Sequence, residues 1–272
     1  MSESLALDGT SDFERRFGGL RRLYGVAGAQ RIFDAHAVVV GIGGVGSWTA
    51  EGLARSGVRR LTLIDLDHIS ESNFNRQIHA NELSLGQSKV EAMRERIKQF
   101  HPACEVEIVD DFVTADNWSD LAEHLERATP EGSPLAVIDA CDQIRAKTAM
   151  AAWAIRQRVP MVCVGAAGGK RQAQAVEVDD LSQVSHDPLL AKLRYQLRRQ
   201  HGAAREGRMR LSCVFSREAV AGPDASCDLG SRDGSLGCHG YGSVVSVTAA
   251  FGMSAAGWAL NTFSKISSTS FR

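Results

Sequence analysis

The chain has 272 residues, of which 44% are hydrophobic and 23% charged, a composition typical of a globular protein with one large domain or one core domain with insertions. The formal net charge of −1 excludes a polycation, so any nucleic-acid binding must come from a local basic patch. Residues 1–12 are polar and acidic and lack the basic and apolar regions of a secretory signal. We therefore expect a cytoplasmic protein.

Six cysteines, at positions 104, 141, 163, 213, 227 and 238, show no paired spacing. In a reducing compartment this pattern predicts free thiols rather than disulfides. No two of them form a CxxC motif, which counts against a zinc site made of four cysteines. The histidines at positions 36, 68 and 79 show no metal-ligand spacing, so we assign no zinc to the chain.

Short apolar runs alternate with helical patterns along the first part of the chain. Strands are predicted over 37–42, 61–66, 106–109, 135–140 and 161–164, and helices over 45–56, 88–100 and 144–156, after one or two short helices within 15–33. Continuous apolar strands are typical of parallel sheets that are covered on both faces. The alternation predicts a Rossmann-type, doubly wound α/β fold whose mostly parallel sheet has helices on both faces.

After this nucleotide-binding core, predicted over 12–178, the pattern becomes irregular. Residues 179–240 hold basic, glycine and polar runs with few regular strands, and we expect a basic insertion or crossover segment above the functional site, part of it mobile. Residues 243–260 carry no charge and are nearly long enough to span a bilayer, but small residues dominate them. We expect a buried apolar helix over 241–262, do not favour membrane contact, and interpret 1–272 as one domain.

Four glycines in the run GIGGVG lie between the first predicted strand and the next helix. Only glycine lets the backbone turn tightly there and approach a phosphate, and the helix N-terminus offers free N–H groups to an anion. Asp65 lies at the end of the second predicted strand, about 20 residues after the glycine run, where nucleotide-binding folds of this type carry the acid that binds a ribose hydroxyl. Gly41, Gly43, Gly44, Gly46 and Asp65 therefore predict a nucleotide site.

Three charged residues beyond this loop favour ATP over NAD. Arg76 and Lys89 supply cations for a triphosphate, and Asp142, just past a predicted strand, is placed to hold Mg²⁺. Each residue alone could equally be a solvated surface charge. Their combination in this order predicts ATP and Mg²⁺ as cofactors.

At this point the sequence resembles a known family. The motifs VVGIGGVGSW, LIDLDHISESNFNRQIH, GQSK and DACD, spread over about 16–169, are similar to those of the ubiquitin-activating-enzyme-like family, which includes the molybdopterin and thiamine adenylyltransferases. The resemblance implies that Asp65 binds the adenosine ribose and that Asp142 binds Mg²⁺. It also places the nucleotide beside Asn73, Arg76, Gln77 and Lys89, of which Asn73, Arg76 and Lys89 contact the phosphates. Arg16, in RRFGG, matches the family's arginine that reaches into the partner's site of a homodimer.

A closer resemblance extends over nearly the full length. RFGGLRRLYG, NRQIHA, DDFVT, DPLLAKLR and CVFS are similar to motifs of the tRNA threonylcarbamoyladenosine dehydratase subfamily. This implies that ATP adenylates the threonyl carboxylate of threonylcarbamoyladenosine in tRNA. The carbamoyl oxygen then closes on the activated carbonyl to give a cyclic oxazolone, with net loss of water. The substrate supplies the nucleophile, so this chemistry requires no catalytic cysteine.

A basic segment, residues 192–210, independently favours an RNA partner. It contains one acid, Glu206, among seven cations, and a strongly basic run on a near-neutral protein suits a phosphate backbone. A solvated helix face is the equally frequent explanation of such a run, and Tyr195 within it could stack on a base or anchor the helix. The cations are Lys192, Arg194, Arg198, Arg199, Arg205, Arg208 and Arg210.

Cys238 leaves two interpretations open. It could be a nucleophile or a sulfur relay, which would call for a cysteine desulfurase or sulfur-acceptor system as a further partner, or it could be a packed thiol beside a glycine turn. The second function consistent with the resemblance is adenylation of the C-terminus of a ubiquitin-like sulfur-carrier protein, against which the missing CxxC motifs and the basic segment count. An inert half of a heterodimeric activating enzyme and a nicotinamide oxidoreductase are less favoured alternatives.

Overall fold

A seven-stranded sheet forms the centre of the computed structural model, which describes residues 9–224, 226 and 241–266. The strands are β1 His36–Val40, β2 Arg60–Ile64, β3 Glu105–Val109, β4 Leu135–Asp139, β5 Met161–Val164, β6 Val176–Asp180 and β7 Ser212–Ser216. The helices are α1 Gly9–Phe17, α2 Leu20–Phe33, α3 Gly46–Arg55, α4 Lys89–Lys98, α5 Trp118–Ala128, α6 Ile144–Gln157, α7 Pro188–Gln200 and α8 Val245–Phe263. The predicted Rossmann-type fold is confirmed.

The strand order is β3-β2-β1-β4-β5-β7-β6, in which only β6 runs antiparallel to its neighbour. Val38 on the buried strand β1 lies opposite Thr62 on one side and Val137 on the other. The order reverses between β1 and β4, and such a switch point opens a crevice at the carboxyl ends of the strands. The end of the sheet at which the parallel strands finish is its carboxyl end, and the opposite end is its amino end.

Helices cover both faces of the sheet and create two apolar cores. One core brings Leu53 of α3 and Phe251 of α8 against one face. The other brings Trp118 of α5, Trp153 of α6 and Leu193 of α7 against the opposite face. The two tryptophans pack edge to face, with ring centroids 5.3 Å apart. Burial on both faces explains why the central strands β1 and β4 are mostly apolar, whereas the less buried edge strand β3 carries Glu105 and Glu107.

Helix α8 packs closely across α3, which explains its content of small residues. A Cβ atom at Gly252 would lie 2.6 Å from Trp48 Cβ and from the Val45 carbonyl oxygen, and one at Gly52 would lie 3.1 Å from Ala256 Cβ. The predicted buried helix is therefore confirmed, with bounds Val245–Phe263. Among the described residues, no helix is both long and apolar enough to cross a membrane.

The structure differs from the sequence prediction between residues 179 and 224. Helix α7 and strand β7 occupy this region, and β7 pairs with β5 and β6 as an internal strand of the sheet, so the crossover alternative applies here rather than an insertion outside the core. Helix α5 was also missed. The domain boundaries at 178 and 240 stay predictions, and the expected mobility falls partly on 227–240, outside the described residues.

Candidate nucleotide-binding site

The glycine loop, residues 41–46, joins β1 to α3 at the carboxyl end of the sheet. Gly41 has φ +86°, and a Cβ there would lie 3.0 Å from the Ala140 carbonyl and from Cys141 N. A Cβ on Gly46 would lie 1.7 Å from the Gly41 carbonyl oxygen. Both positions thus require glycine, whereas Gly43 has no heavy atom within 4 Å of its Cβ position. The loop is closely packed at Gly41 and Gly46 but open at Gly43, which lets a phosphate approach its backbone N–H groups.

Arg76 packs over this loop. Its Cγ lies 3.3 Å from the Cβ position of Gly44, as does Thr248 Cγ2 of α8. The indole Nε1 of Trp48 donates to the Arg76 carbonyl oxygen at 2.9 Å, and the Thr248 hydroxyl donates to the same oxygen at 3.4 Å. Helices α3 and α8 therefore fix the backbone of Arg76 beside the loop.

Asp65 follows β2 and holds the glycine loop directly. Its Oδ2 accepts a 2.6 Å hydrogen bond from Ile42 N, and its Oδ1 accepts one of 2.8 Å from Asp67 N. Burial raises the pKa of Asp65 above its usual value, an effect that the Lys89 ammonium and the two backbone donors oppose. Each carboxylate oxygen can accept a further bond, so the predicted ribose hydroxyl can still be bound.

Lys89 begins helix α4 and reaches back towards the same strand end. Its Nζ lies 2.6 Å from Asp67 Oδ2, with the Lys89 side chain 8% exposed and that of Asp67 54% exposed. The ammonium is therefore held at the rim of the crevice by a carboxylate that faces solvent. This arrangement fixes a cation close to Asp65 and leaves its remaining donors available to an anion.

Residues 73–79, which include Arg76, contain several buried polar atoms, not all of which have hydrogen-bond partners. Arg76 Nε and Gln77 Oε1 have no hydrogen-bond partner among the described residues, and neither ring nitrogen of His79 has one. Burial, with Lys89 and Arg96 nearby, lowers the pKa of His79 to about 3, so the ring is neutral. Asn73 Oδ1 accepts from Ser70 N at 3.1 Å. An unpartnered buried polar atom calls for an explanation, and a bound polar ligand is one such explanation.

Asp142 is exposed and lies just after β4, at the same end of the sheet. It follows Ala140 and Cys141, the backbone on which Gly41 rests. Within the described ranges, no group of three or more His, Cys, Asp or Glu side chains converges. One carboxylate cannot hold a metal alone, but Mg²⁺ is commonly bound by one or two carboxylates together with substrate phosphates. The residues therefore fit a nucleotide-bound Mg²⁺.

A buried ion pair behind Asp142 escaped sequence reasoning. Lys147 Nζ lies 2.7 Å from Asp139 Oδ2, and both side chains are 0% exposed. Burial alone would lower the pKa of Lys147, but the charge and hydrogen bond of Asp139, together with the nearby Cys141 and Cys163, outweigh it, so the pKa is raised. Burial, reinforced by Asp139, raises the pKa of the Cys141 thiol. The available signal was a lysine on the side of α6 that also carries buried Met150 and Ala151.

The model of the ThiF family matches residues 16–272. The chain belongs to the ThiF family. The tRNA threonylcarbamoyladenosine dehydratase of Escherichia coli (strain K12) is 42% identical to it over 257 residues, which are 91% of this chain and 93% of that protein. The enzyme of the same name from Haemophilus influenzae is 38% identical over 244 residues, or 89% and 90% of the two chains. The resemblance found in the sequence is confirmed.

Solved structures of the E. coli dehydratase also match this ThiF-family chain. The complex of that enzyme with AMP has a TM-score of 0.81 at 41% identity, covering 96% of this chain and 97% of the other. The complex with ATP has a TM-score of 0.79 at 40% identity, covering 95% and 97%. The match therefore includes the whole sheet rather than the glycine loop alone.

Arg16 lies far from this site, at the amino end of the sheet. Its Nη1 donates to the Phe100 carbonyl oxygen at 2.9 Å, and its Nε lies 2.8 Å from Asp12 Oδ2. Phe100 follows the C-terminus of α4, whereas Lys89 at the N-terminus of that helix marks the carboxyl end. Arg16 therefore cannot reach the glycine loop of its own chain.

The basic segment divides into bonded and exposed residues. Arg194 Nη1 donates to the Leu181 and Val184 carbonyl oxygens at 3.0 and 2.9 Å, and Arg198 donates to the carbonyls of residues 204 and 205. Tyr195 is 59% exposed, and its hydroxyl accepts from Arg199 Nη1 at 3.0 Å. The exposed cations are Lys192, Arg199, Arg205, Arg208 and Arg210.

Most of this segment lies at the amino end of the sheet, opposite the glycine loop. Residues 205–210 lead into β7, which runs parallel to β5, so they precede the start of a parallel strand. Asp180 fixes that approach by accepting from Met209 N and Arg210 N, each at 2.8 Å. Cys238, together with His239, lies outside the described residues, and both interpretations of it stand. The four cysteines that the structure describes, at 104, 141, 163 and 213, are free thiols.

Proposed function

We propose that this ThiF-family chain is an ATP-dependent tRNA threonylcarbamoyladenosine dehydratase. The observation that carries the proposal is the similarity over almost the full length to enzymes of that name, including one whose solved structures hold ATP and AMP. The glycine loop and the charged residues around it supply a matching site on this chain. Fold likeness alone would leave the substrate open, because one fold can host many unrelated functions.

The proposed reaction has two steps. A threonyl carboxylate oxygen attacks the α-phosphorus of ATP, the bond between the α- and β-phosphates breaks, and pyrophosphate leaves. The carbamoyl oxygen then attacks the activated carbonyl carbon, AMP departs with one carboxylate oxygen, and a carbamoyl N–H proton is lost. The net change in the nucleoside is the loss of one water. The ring closes within one molecule, so proximity lowers its barrier without a covalent enzyme intermediate.

Each residue at the carboxyl end of the sheet has a role in this proposal. The N–H groups of the glycine loop bind phosphate, and Asp65 binds the ribose. Asn73, Arg76, Gln77 and Lys89 surround the phosphates, where fixed cations stabilise the charge that develops at phosphorus. The support for these roles is that Arg76 and Lys89 are buried and held by neighbours before any ligand binds.

Mg²⁺ would be held by Asp142 together with the phosphates of ATP. When bound there, the ion would neutralise phosphate charge and favour departure of pyrophosphate. The supporting observation is an exposed carboxylate next to the backbone that carries the glycine loop. Lys89 and Arg76 provide the remaining positive charge from the protein itself.

We further propose a homodimer in which Arg16 of one copy completes the site of the other. Arg16 lies at the wrong end of the sheet for its own site. Helix α2, just after it, exposes two apolar side chains, Leu23 at 77% and Val26 at 70%. A second copy seated on this part of the chain would cover both side chains. No covalent step is assigned to Cys238 and no sulfur-transfer partner is needed, because the substrate carries its own nucleophile.

The test is mass spectrometry of nucleosides from tRNA that carries threonylcarbamoyladenosine, after incubation with the protein, ATP and Mg²⁺. We expect conversion to a product lighter by one water, with one AMP formed per product. An incubation without ATP is the control and should leave the nucleoside unchanged. AMP formation that depends on a ubiquitin-like sulfur-carrier protein, with the tRNA nucleoside unaltered, would replace this proposal by the adenylyltransferase alternative.

A further inference from the structure

The buried pair of Asp139 and Lys147 connects three parts of the chain behind the proposed site. Lys147 Nζ, on α6, lies 2.7 Å from Asp139 Oδ2 at the end of β4 and donates to the Val164 carbonyl oxygen at the end of β5, 3.1 Å away. Asp139 Oδ1 accepts from Cys141 N at 3.2 Å and from Cys141 Sγ at 3.0 Å. The pair therefore binds the backbone at two strand ends and at the start of the loop after β4.

Stability alone gives little reason for such a pair. Removing two charges from water is costly, and apolar residues of similar volume often stabilise a core equally well or better. Apolar side chains cannot, however, accept from Cys141 N or donate to the Val164 carbonyl. The ion pair therefore differs from an apolar pair in that it forms hydrogen bonds that hold the backbone in place.

That backbone supports the proposed site from below. The Cβ position of Gly41 lies 3.0 Å from the Ala140 carbonyl and from Cys141 N, so the glycine loop rests directly on residues 140 and 141. Asp142 is the next residue and projects to the surface. A shift of Cys141 would therefore change the position of the Asp142 carboxylate relative to the glycine loop.

We infer that Asp139 and Lys147 are positioning residues that fix Asp142 relative to the glycine loop, where its carboxylate would hold Mg²⁺ together with bound ATP. Neither side chain is accessible to solvent, so neither touches the nucleotide. The inference rests on the proposed function and adds two residues to its machinery. Displacement of a reacting group by about 1 Å can cost about 10²-fold in rate, which sets the size of effect to expect.

The test compares Lys147→Met with the wild type by calorimetric titration of ATP, once in EDTA and once in Mg²⁺. We expect ATP affinity in EDTA to stay within about twofold, because the glycine loop and Lys89 remain. The gain in affinity on adding Mg²⁺ should fall about 10-fold and kcat for AMP formation about 10²-fold. Arg156→Met is the matched control, since Arg156 is an exposed cation on the last turn of the same helix. It should leave both Mg²⁺ gain and kcat unchanged.

A second variant guards against loss of the fold, because Lys147→Met leaves the Asp139 carboxylate buried without its partner. The double variant Asp139→Leu/Lys147→Met removes both charges and keeps an apolar core. We expect it to fold, as judged by circular dichroism and thermal unfolding, and to show the same loss of Mg²⁺ gain. Asp139→Asn/Lys147→Met keeps an acceptor for Cys141 N and should recover part of the gain.

Three results would overturn the inference. They are a folded Lys147→Met or double variant with wild-type Mg²⁺ gain and kcat, a loss of ATP affinity in EDTA as large as in Mg²⁺, and failure of every one of these variants to fold. A wild-type protein that makes no AMP from ATP and the modified tRNA would instead refute the proposed function. The two failures are thus separable, because the second is seen before any variant is made.

Discussion

The two ends of the parallel sheet carry charged residues that are held in opposite ways. At the carboxyl end Asp65, Arg76 and Lys89 are buried and bonded to neighbours, and the Lys89 side chain is 8% exposed. At the amino end Arg199 and Arg208 of the basic segment project into solvent, with the Arg208 side chain 77% exposed. Fixed charges in a crevice can stabilise a transition state, whereas exposed charges attract a polyanion over a longer range and are screened by salt.

The two arrangements suit two ligands of different size, a nucleotide at the carboxyl end and a tRNA at the amino end. The nucleotide needs groups that folding has already fixed in position. Its proposed residues accordingly lie on the segments that follow β1, β2 and β4. A tRNA needs many weak contacts over a wide surface, and exposed basic side chains can supply them. The comparison predicts that variants at the carboxyl end change kcat, while variants at the amino end change KM and its dependence on salt.

The largest effect is expected for Asp142→Ala. Loss of the carboxylate proposed to hold Mg²⁺ should lower kcat for AMP formation by about 10³-fold or more. Gln143→Ala, at the exposed next residue, is the control and should stay near wild type. Turnover is followed by AMP release with saturating tRNA, and circular dichroism checks the fold. An active Asp142→Ala variant would remove this residue from the site.

Lys89→Ala should follow, with a loss of about 10²-fold in kcat. The substitution removes a fixed cation and leaves Asp67, which is 54% exposed and can be solvated, so the fold should survive. Asp67→Asn tests the arrangement from the other side, because it keeps the ammonium and weakens only its positioning. We expect a smaller loss for Asp67→Asn than for Lys89→Ala. The reverse order would mean that the carboxylate, rather than the ammonium, acts on the nucleotide.

His36 is a buried polar residue at the amino end of the sheet. It therefore tests whether burial, rather than position at one end of the sheet, determines the pKa of a side chain. It begins β1 at the amino end, and its ring nitrogens lie 2.8 Å from the Thr62 hydroxyl and 2.7 Å from that of Thr129. Burial, with a contribution from Arg60, lowers the pKa of His36 to about 4 from 6.5. Between these two pH values the unfolded chain therefore binds more protons than the folded chain. The contribution of neutral His36 to the free energy of unfolding is fully present above pH 6.5 and is lost as the pH falls towards 4.

The loss from His36 over this pH window should be roughly 3 kcal/mol. We expect His36→Gln to flatten the dependence of the unfolding free energy on pH, measured by urea denaturation at several pH values. His201→Gln is the control, since His201 is exposed at the end of α7 and is not among the groups that shift the pKa of His36. A His36→Gln variant with the wild-type slope would show that other groups, such as buried His79 and His101, account for the acid sensitivity.

The sequence predicted the carboxyl end of the sheet better than the amino end, for a physical reason. Apolar strands and glycine turns follow local rules, so β1 to β5 and the glycine loop could be placed from the residues alone. Helix α7 was missed although a local signal was present, because Leu189, Leu193 and Leu197 recur every four residues after an Asp-Pro helix start. Strand β7 is a short run whose pairing with β5 is decided by tertiary contacts rather than by its own pattern.

Pairings between distant residues were beyond sequence reasoning altogether. The spacing along α6 indicates that Lys147 is buried, but no local pattern identifies Asp139 as its partner or Asp67 as the partner of Lys89, because each pair forms only when separate elements meet in the fold. The residues of the site could therefore be named from their motifs, but the contacts that hold them could not. Their catalytic roles stay predictions, to which the structure adds positions and neighbours.

The smallest effect on turnover is expected at the amino end, for the double variant Arg199→Gln/Arg205→Gln. Both side chains are exposed, so removing them should raise the KM for tRNA about 10-fold at moderate salt and leave kcat unchanged. Each lost phosphate contact should also reduce the slope of log affinity against log salt by about 1. Arg194→Gln is the informative comparison, because Arg194 is occupied by the Leu181 and Val184 carbonyls and should affect stability instead of the salt slope. If the double variant kept the wild-type salt slope, the basic segment would be a solvated helix face, and the tRNA would have to bind at the carboxyl end alone.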